Sequence, residues 1–149
     1  MKNLLFIIAL FLGSFNSMAQ SYNLEFDHTT ILVKNIETSA EFYKNILQLK
    51  ELETPWGFIE WGRFFEIGNH QQIHIAQVDS GEVKPNKWLH IAFAVNDFDG
   101  YLKFLDDKNI EYGNFAGDSK EFQTRPDNVR QIYFQDPDGY WIEVNDAEH

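Results

Sequence analysis

Residues 26–33 have the sequence FDHTTILV, and residues 88–95 have the sequence WLHIAFAV. Both segments are short and rich in β-branched or aromatic residues, a composition that is typical of β-strands. Because successive side chains in a strand point to opposite faces, Ile31 and Val33 share one face of the first segment, and Leu89, Ile91, Phe93 and Val95 share one face of the second. The opposite face of each segment carries a single histidine, His28 or His90. The two segments therefore predict equivalent strands in two related parts of the chain.

The same order of elements follows each of these strands. Apolar residues at three- and four-residue spacing predict a helix over 35–48 and another over 97–108. Three strand-like segments follow each helix, over 49–53, 58–67 and 72–78 and then over 112–115, 129–135 and 140–145. The halves match at an offset of 62 residues from His28 to His90 and of 69 residues from His74 to Glu143. The sequence therefore predicts an α+β domain over 25–146 built from two βαβββ modules, module one over about 26–79 and module two over about 88–146.

Composition limits the function classes that fit the chain. Its 149 residues suit one domain, and 12 basic against 23 acidic residues give a formal net charge of -11. Such a surface repels phosphate backbones and anionic lipid headgroups, so we expect no nucleic acid partner. The absence of cysteine excludes disulfides, thiol catalysis and cysteine-bound metals. The expected partner is a small-molecule substrate.

The first 19 residues have a different character. Lys2 precedes the apolar run LLFIIALFL over 4–12, and the small residues Ser17 and Ala19 follow. This order predicts a secretory signal peptide over 1–19, cleaved after Ala19. The alternative is a membrane anchor, for which the run is short against the ~20 apolar residues that span a bilayer. We therefore expect an exported protein, periplasmic or secreted, without stable membrane association after signal removal.

Four polar residues interrupt the apolar pattern of the predicted strands. Strand alternation places His28, His74, His90 and Glu143 opposite aliphatic faces. Imidazole and carboxylate groups are suitable ligands for one divalent metal ion, and ligand type does not choose among Zn, Ni, Co, Mn and Fe. A lone strand histidine is more often a surface or hydrogen-bonded residue, and His74 fits a supporting donor as well as a ligand. We interpret the four residues together as a metal site.

The chain resembles the vicinal oxygen chelate superfamily over about residues 25–146. The resemblance rests on the segment 27–30 (DHTT), the helix segment 39–43 (SAEFY), His90 within LHIAFAV, and the closing segment 133–143 (YFQDPDGYWIE). It implies paired βαβββ modules that form a cupped mixed sheet with helices on the outer face, often completed across a homodimer. It also implies that His28, His90 and Glu143 are metal ligands. His74 stands where metal-isomerase members usually have Glu or Gln.

What the resemblance implies about activity is a metal-dependent lyase or isomerase of the glyoxalase I type. The expected substrate is small and oxygenated, a 2-oxoaldehyde or a 2-hydroxy or 2-oxo acid, and Glu143 is the expected proton-transferring base. Thr30 matches a substrate-contacting threonine of the fosfomycin-resistance enzymes. Further candidates for substrate contacts are Arg63, Arg125, Arg130, Trp56, Trp61 and Trp141.

Two other activities fit the same residues. His28, His90 and Glu143 alone form the two-histidine, one-carboxylate set of Fe(II) oxygenases, which predicts an extradiol-type dioxygenase with His74 off the metal. A non-enzymatic protein that binds a drug or metabolite and so confers resistance also fits a cup of this kind. Metal content and the number of protein ligands discriminate among the three.

Overall fold

The computed structural model describes residues 25–54, 59–78 and 86–148. The predicted signal peptide over 1–19, Trp56 and most of the segment that joins the two modules lie outside these residues. Neither helix of the described part is long and apolar enough to cross a membrane.

The described part of module one contains four strands and one helix. The chain order is β1 (His28–Val33), α1 (Ile36–Asn45), β2 (Lys50–Glu51), β3 (Gly62–Gly68) and β4 (Gln71–Gln77). The strands form a mixed sheet in the order β1-β4-β3-β2, in which β1 pairs in parallel with β4 and the other pairs are antiparallel.

Module two repeats this architecture. It consists of β5 (His90–Ala94), α2 (Phe98–Asp107), β6 (Gln123–Thr124), β7 (Arg130–Gln135) and β8 (Trp141–Asn145). Its sheet has the order β5-β8-β7-β6, again with the first and last strands parallel. The predicted α+β fold of two βαβββ modules is confirmed.

Strand register shows how closely the modules match. Thr30 pairs with His74 across β1 and β4, and Ala92 pairs with Glu143 across β5 and β8. Thr30 and Ala92 are separated by the same offset as His28 and His90, so the two sheets place His74 and Glu143 at equivalent positions.

One predicted strand is wrong. Residues 112–115 form only an isolated bridge between Gly113 and Tyr133, and the short strand β6 lies further along the chain. A turn that begins at Asn114 interrupts the predicted strand. The Asn114 side chain accepts a hydrogen bond from the Gly117 amide at 2.7 Å, and Gly117 has a φ of 78°. Asparagine and glycine favour such turns over extended pairing.

Each helix begins at a capping side chain. Asn35 accepts a hydrogen bond from the Thr38 amide at 2.9 Å at the start of α1, and Asp97 accepts one from the Gly100 amide at 2.9 Å at the start of α2. These bonds satisfy amides that have no partner within a helix and so fix where each helix begins.

The apolar face of each sheet packs against helices. In module one Val33, Phe65 and Ile73 are fully buried with residues of α1, and in module two Ile132 and Ile142 are fully buried with residues of α2. The two cores are continuous, because both contact Phe42, Leu47, Ile91 and Phe93.

The hairpin turn over 136–139 joins module two to module one through hydrogen bonds. The buried Tyr43 hydroxyl on α1 donates to Asp136 at 3.0 Å, and the Ser39 hydroxyl donates to Asp138 at 2.8 Å. The Lys34 amide donates to the same Asp138 carboxylate at 2.9 Å. The turn therefore fixes the start of α1 against the end of β7 and the beginning of β8.

Candidate metal centre

The polar face of each parallel strand pair carries two of the predicted ligands. Ile31 and Ile73 are buried on the apolar face in module one, as Ile142 and Val144 are in module two. The opposite face carries His28 and His74 in module one and His90 and Glu143 in module two, as strand alternation predicts.

The module-two pair is held in a geometry that suits a cation. Nε2 of His90 lies 3.2 Å from Oε2 of Glu143, and Nδ1 of His90 lies 2.9 Å from the Lys87 carbonyl oxygen. Because a carbonyl only accepts, Nδ1 carries the hydrogen, which leaves an Nε2 lone pair toward the carboxylate in the neutral ring. Two acceptor atoms at this distance favour a proton or a metal ion between them, and a histidine fixed through its other nitrogen is a common metal ligand.

Two neighbours hold the Glu143 carboxylate, which is only 5% exposed. The Tyr133 hydroxyl donates to Oε2 at 2.5 Å, and the Asn145 amide donates to Oε1 at 2.7 Å. Gln131 in turn donates to the Tyr133 oxygen at 2.8 Å. Burial, with a smaller contribution from the hydrogen bond to Glu143, raises the pKa of Tyr133, so this phenol is a neutral donor near pH 7.

The module-one pair has a different arrangement. The rings of His28 and His74 stack with centroids 4.2 Å apart and planes 13° from parallel, and the Phe64 ring lies 4.1 Å from His74. Nδ1 of His28 is 2.5 Å from an Asp27 oxygen, and Nε2 of His74 is 2.9 Å from the Gln72 amide oxygen. These acceptors place a hydrogen on the bound nitrogen of each ring and leave the other nitrogen for a metal.

Charge and burial keep His74 neutral. Burial first, and the neighbouring His28 second, lower the pKa of His74. Neutral imidazole is the form that binds metals. The nitrogen lone pairs of His28 and His74 lie in the planes of their rings, and these planes are stacked and nearly parallel. The two lone pairs therefore point at one ion only after one of the rings rotates.

The four predicted ligands form two pairs in this chain. Within residues 25–54, 59–78 and 86–148, no group of three or more histidine, aspartate or glutamate side chains is arranged to hold a metal ion. His28 and His74 lie on β1 and β4 of one sheet, and His90 and Glu143 lie on β5 and β8 of the other. The types of donor atom and their hydrogen bonds fit a metal ion. In one chain these donors form two separate pairs.

The predicted substrate-binding arginines are each paired with carboxylates. Arg63 pairs with Glu37 at 2.5 Å and Glu51 at 3.5 Å, and Arg130 pairs with Asp99 at 2.8 Å and Asp146 at 2.6 Å. Their guanidinium groups therefore already have anionic partners.

Arg125 pairs with Asp127 at 2.6 Å, and this hydrogen bond is the main reason that its pKa is raised. A smaller effect of the Glu143 charge acts in the same direction.

The other predicted contacts lie at different depths. Thr30 is exposed beside His74, Trp61 is 60% exposed, and Trp141 is half-buried next to Glu143 on β8. Trp141 lines a cavity of about 650 Å³ together with Lys87, Asn114, Ser119 and Tyr133. Tyr133 and Lys87 were not predicted from the sequence. Antiparallel pairing of residues 133 and 143 across the 136–139 turn is the signal that points to Tyr133.

Comparison with known proteins gives consistent matches. The family model of the Glyoxalase/Bleomycin resistance protein/Dioxygenase superfamily matches residues 25–144. The uncharacterized protein YwbC of Bacillus subtilis (strain 168) is 31% identical over 122 residues, which cover 78% of this chain and 93% of YwbC. The metallothiol transferase FosB of Staphylococcus haemolyticus (strain JCSC1435) is 31% identical over 124 residues, 80% of this chain and 81% of FosB. The crystal structure of a glyoxalase family protein from Bacillus anthracis superimposes with a TM-score of 0.67 at 26% identity, covering 87% of this chain and all of that one.

Proposed function

We propose that this chain, which belongs to the Glyoxalase/Bleomycin resistance protein/Dioxygenase superfamily, is a metal-dependent lyase or isomerase that acts on a small oxygenated substrate. The observation that most supports this is the module-two pair, in which the Lys87 carbonyl fixes His90 so that its free nitrogen lies 3.2 Å from a buried carboxylate. The similarity to metallothiol transferases, whose name states a metal, supports the metal dependence of this activity.

His90 and Glu143 hold the ion together with His28 and, after rotation of its ring, His74. A bound divalent cation supplies Lewis-acid stabilisation of charge that develops on a substrate oxygen. Glu143 accepts the proton that leaves the substrate carbon. Tyr133 and Asn145 keep its two oxygens aimed, because each donates to one of them.

A second copy of the chain completes the site in this proposal. One chain presents two half-sets of ligands on separate sheets, and a twofold-symmetric pair brings module one of each copy to module two of the other. Trp88 and Leu89, which immediately precede His90, are 79% and 77% exposed. Adjacent exposed apolar residues of this size favour an interface at that place.

Elemental analysis of purified protein tests the metal. We expect about one divalent ion per chain, as one four-ligand set per chain requires, and we expect His90→Ala and Glu143→Gln to lose most of it. His70→Asn is the matched control, since His70 lies in an exposed turn with a φ of 64°, which asparagine tolerates. Metal-free wild-type protein, or full occupancy in His90→Ala, contradicts the proposal.

A second candidate function is Fe(II)-dependent dioxygenation. It is favoured by the position of His74, whose ring lies between Phe64 and His28 and whose Nε2 is bound to Gln72. If His74 stays there, the ion has three protein ligands and open positions for oxygen and substrate. Iron bound with unchanged affinity in His74→Ala, which has no donor atom, supports this candidate. A marked loss of affinity in that variant supports the four-ligand enzyme.

We also propose that the protein is exported, on the sequence of residues 1–19. Cell fractionation of the full-length chain is expected to place it outside the cytoplasm, shortened at Ala19. Full-length protein retained in the cytoplasm contradicts this.

A further inference from the structure

Among the described residues of this acidic chain, one cation differs in its surroundings from the others. Lys87 is half-buried, whereas every other lysine of the described part is exposed. The three described arginines that share its half-buried state, Arg63, Arg125 and Arg130, are all paired with carboxylates. No carboxylate pairs with Lys87 among the described residues.

Aromatic rings surround the Lys87 ammonium. Nζ lies 4.2 Å from the ring centroid of Trp141, 5.3 Å from that of Tyr133 and 5.7 Å from that of Phe115. Within the described part of the chain, its one hydrogen bond is to the Asn114 carbonyl oxygen at 2.9 Å. An ammonium has three donors, so two of them are left for another partner. Burial lowers the pKa of Lys87, which agrees with its partial removal from water.

The backbone around Lys87 is fixed next to the candidate metal centre. The Asn86 side chain accepts from the Trp88 amide at 3.0 Å, and the Asn86 carbonyl accepts from the Leu89 amide at 2.7 Å. The Lys87 carbonyl binds His90, while its ammonium lies against the ring of Tyr133, whose hydroxyl binds Glu143. One residue therefore orients a predicted ligand with its backbone and places a positive charge in the adjoining cavity.

We infer that Lys87 binds an anionic group of the substrate, a carboxylate or a phosphonate, in the cavity that it lines with Tyr133 and Trp141. This inference rests on the proposed function, because it names the substrate class of the same site. A chain with a net charge of -11 repels small anions, so an anionic substrate requires a local positive charge that carboxylates of the protein have not already neutralised. Among the cations near the candidate centre, Lys87 meets that requirement.

Binding of three small probes by titration calorimetry tests the inference with metal-loaded protein. Pyruvate carries a carboxylate, methylphosphonate carries a phosphonate, and hydroxyacetone is neutral. We expect at least one of the two anions to bind, and Lys87→Met to weaken it by about ten- to a hundredfold, the range for a charge-assisted hydrogen bond. Lys87→Arg is expected to retain part of the affinity, and hydroxyacetone is expected to bind Lys87→Met and wild-type protein equally. The control is Lys103→Met, which removes an exposed charge on α2.

The outcomes separate this inference from the proposed function. If neither anion binds, or if the anion binds Lys87→Met as well as wild type, the inference is overturned while a metal found by elemental analysis still supports the enzyme. If purified protein holds no metal but an anion binds in a Lys87-dependent way, the proposed function fails and the anion site stands. If Lys87 only stabilises the fold, Lys87→Met has a lower thermal stability and an unchanged preference between pyruvate and hydroxyacetone. That result also overturns the inference.

Discussion

Tyr133 and Glu143 face each other on the antiparallel strands β7 and β8, and the Tyr133 hydroxyl donates a hydrogen bond of 2.5 Å to the Glu143 carboxylate. The oxygen that accepts this bond is the one 3.2 Å from His90. The phenol therefore orients the carboxylate oxygen that faces the other ligand of its pair.

Removal of this hydroxyl in Tyr133→Phe is expected to weaken metal binding by about ten- to a hundredfold, because groups that orient a ligand contribute on that scale. Competition with a chelator of known affinity measures the change. Tyr101→Phe is the control, since its hydroxyl donates to the Ile46 carbonyl at 2.9 Å, away from the candidate ligands. Equal affinity in wild type and Tyr133→Phe contradicts the orienting role.

The strand pattern of the sequence predicts which residues face the polar side of each sheet, and His28, His74, His90 and Glu143 all lie there. It does not predict that these residues form two separate pairs, because alternation fixes a face and not the position of one sheet relative to another. The sequence places Lys87 between the two predicted modules, and nothing in its immediate sequence shows that the loop around Asn114 and the ring of Trp141 surround its ammonium.

The buried Asp136 predicts a pH dependence of stability. Its carboxylate accepts hydrogen bonds from Tyr43 and from the amides of Asp138 and Tyr140, and burial raises its pKa above the usual value. A raised pKa means that the folded state binds the proton more tightly than the unfolded state. The stability from this group is thus complete below about pH 3.9 and is lost as the pH rises through the higher folded-state pKa.

Asp136→Asn stays neutral and keeps an oxygen for the two amides. We expect the free energy of unfolding of this variant, relative to wild type, to increase between pH 4 and pH 7 in urea titrations. Asp136→Ala, which leaves the Tyr43 hydroxyl and both amides without their acceptor, is expected to lose about 1–3 kcal/mol. A difference between wild type and Asp136→Asn that is constant with pH contradicts the assignment.

Substitution of Gly113, in the loop beside the cavity, is expected to destabilise the fold. A Cβ atom added there would lie 2.4 Å from the Ser119 carbonyl oxygen, which accepts a hydrogen bond from the Asn114 amide at 3.1 Å. Gly113→Ala must therefore move backbone, and we expect about 1–3 kcal/mol of destabilisation, the usual cost of overpacking. Denaturant unfolding measures it, with Gly68→Ala as a control for glycine replacement where no atom lies within 4 Å.

If the free energy of unfolding falls no more in Gly113→Ala than in Gly68→Ala, the close contact at Gly113 is contradicted. Gly68 has a φ of 97°, so Gly68→Ala is itself destabilised by backbone strain. A larger loss in Gly113→Ala is therefore a stringent sign of the close contact.

In the proposed site, His28 and His74 of one copy meet His90 and Glu143 of another on one ion. Complementation between two variants that bind no metal tests this arrangement most directly. The double variant His28→Ala/His74→Ala and the double variant His90→Ala/Glu143→Gln are each expected to bind no metal. Unfolded together in equal amounts and refolded, they form mixed dimers with one intact site, so we expect metal at about a quarter of the wild-type content per chain for random pairing in a twofold dimer. If the wild-type protein binds metal and the refolded mixture of the two variants binds none, the site is not shared between two chains, which contradicts the proposal.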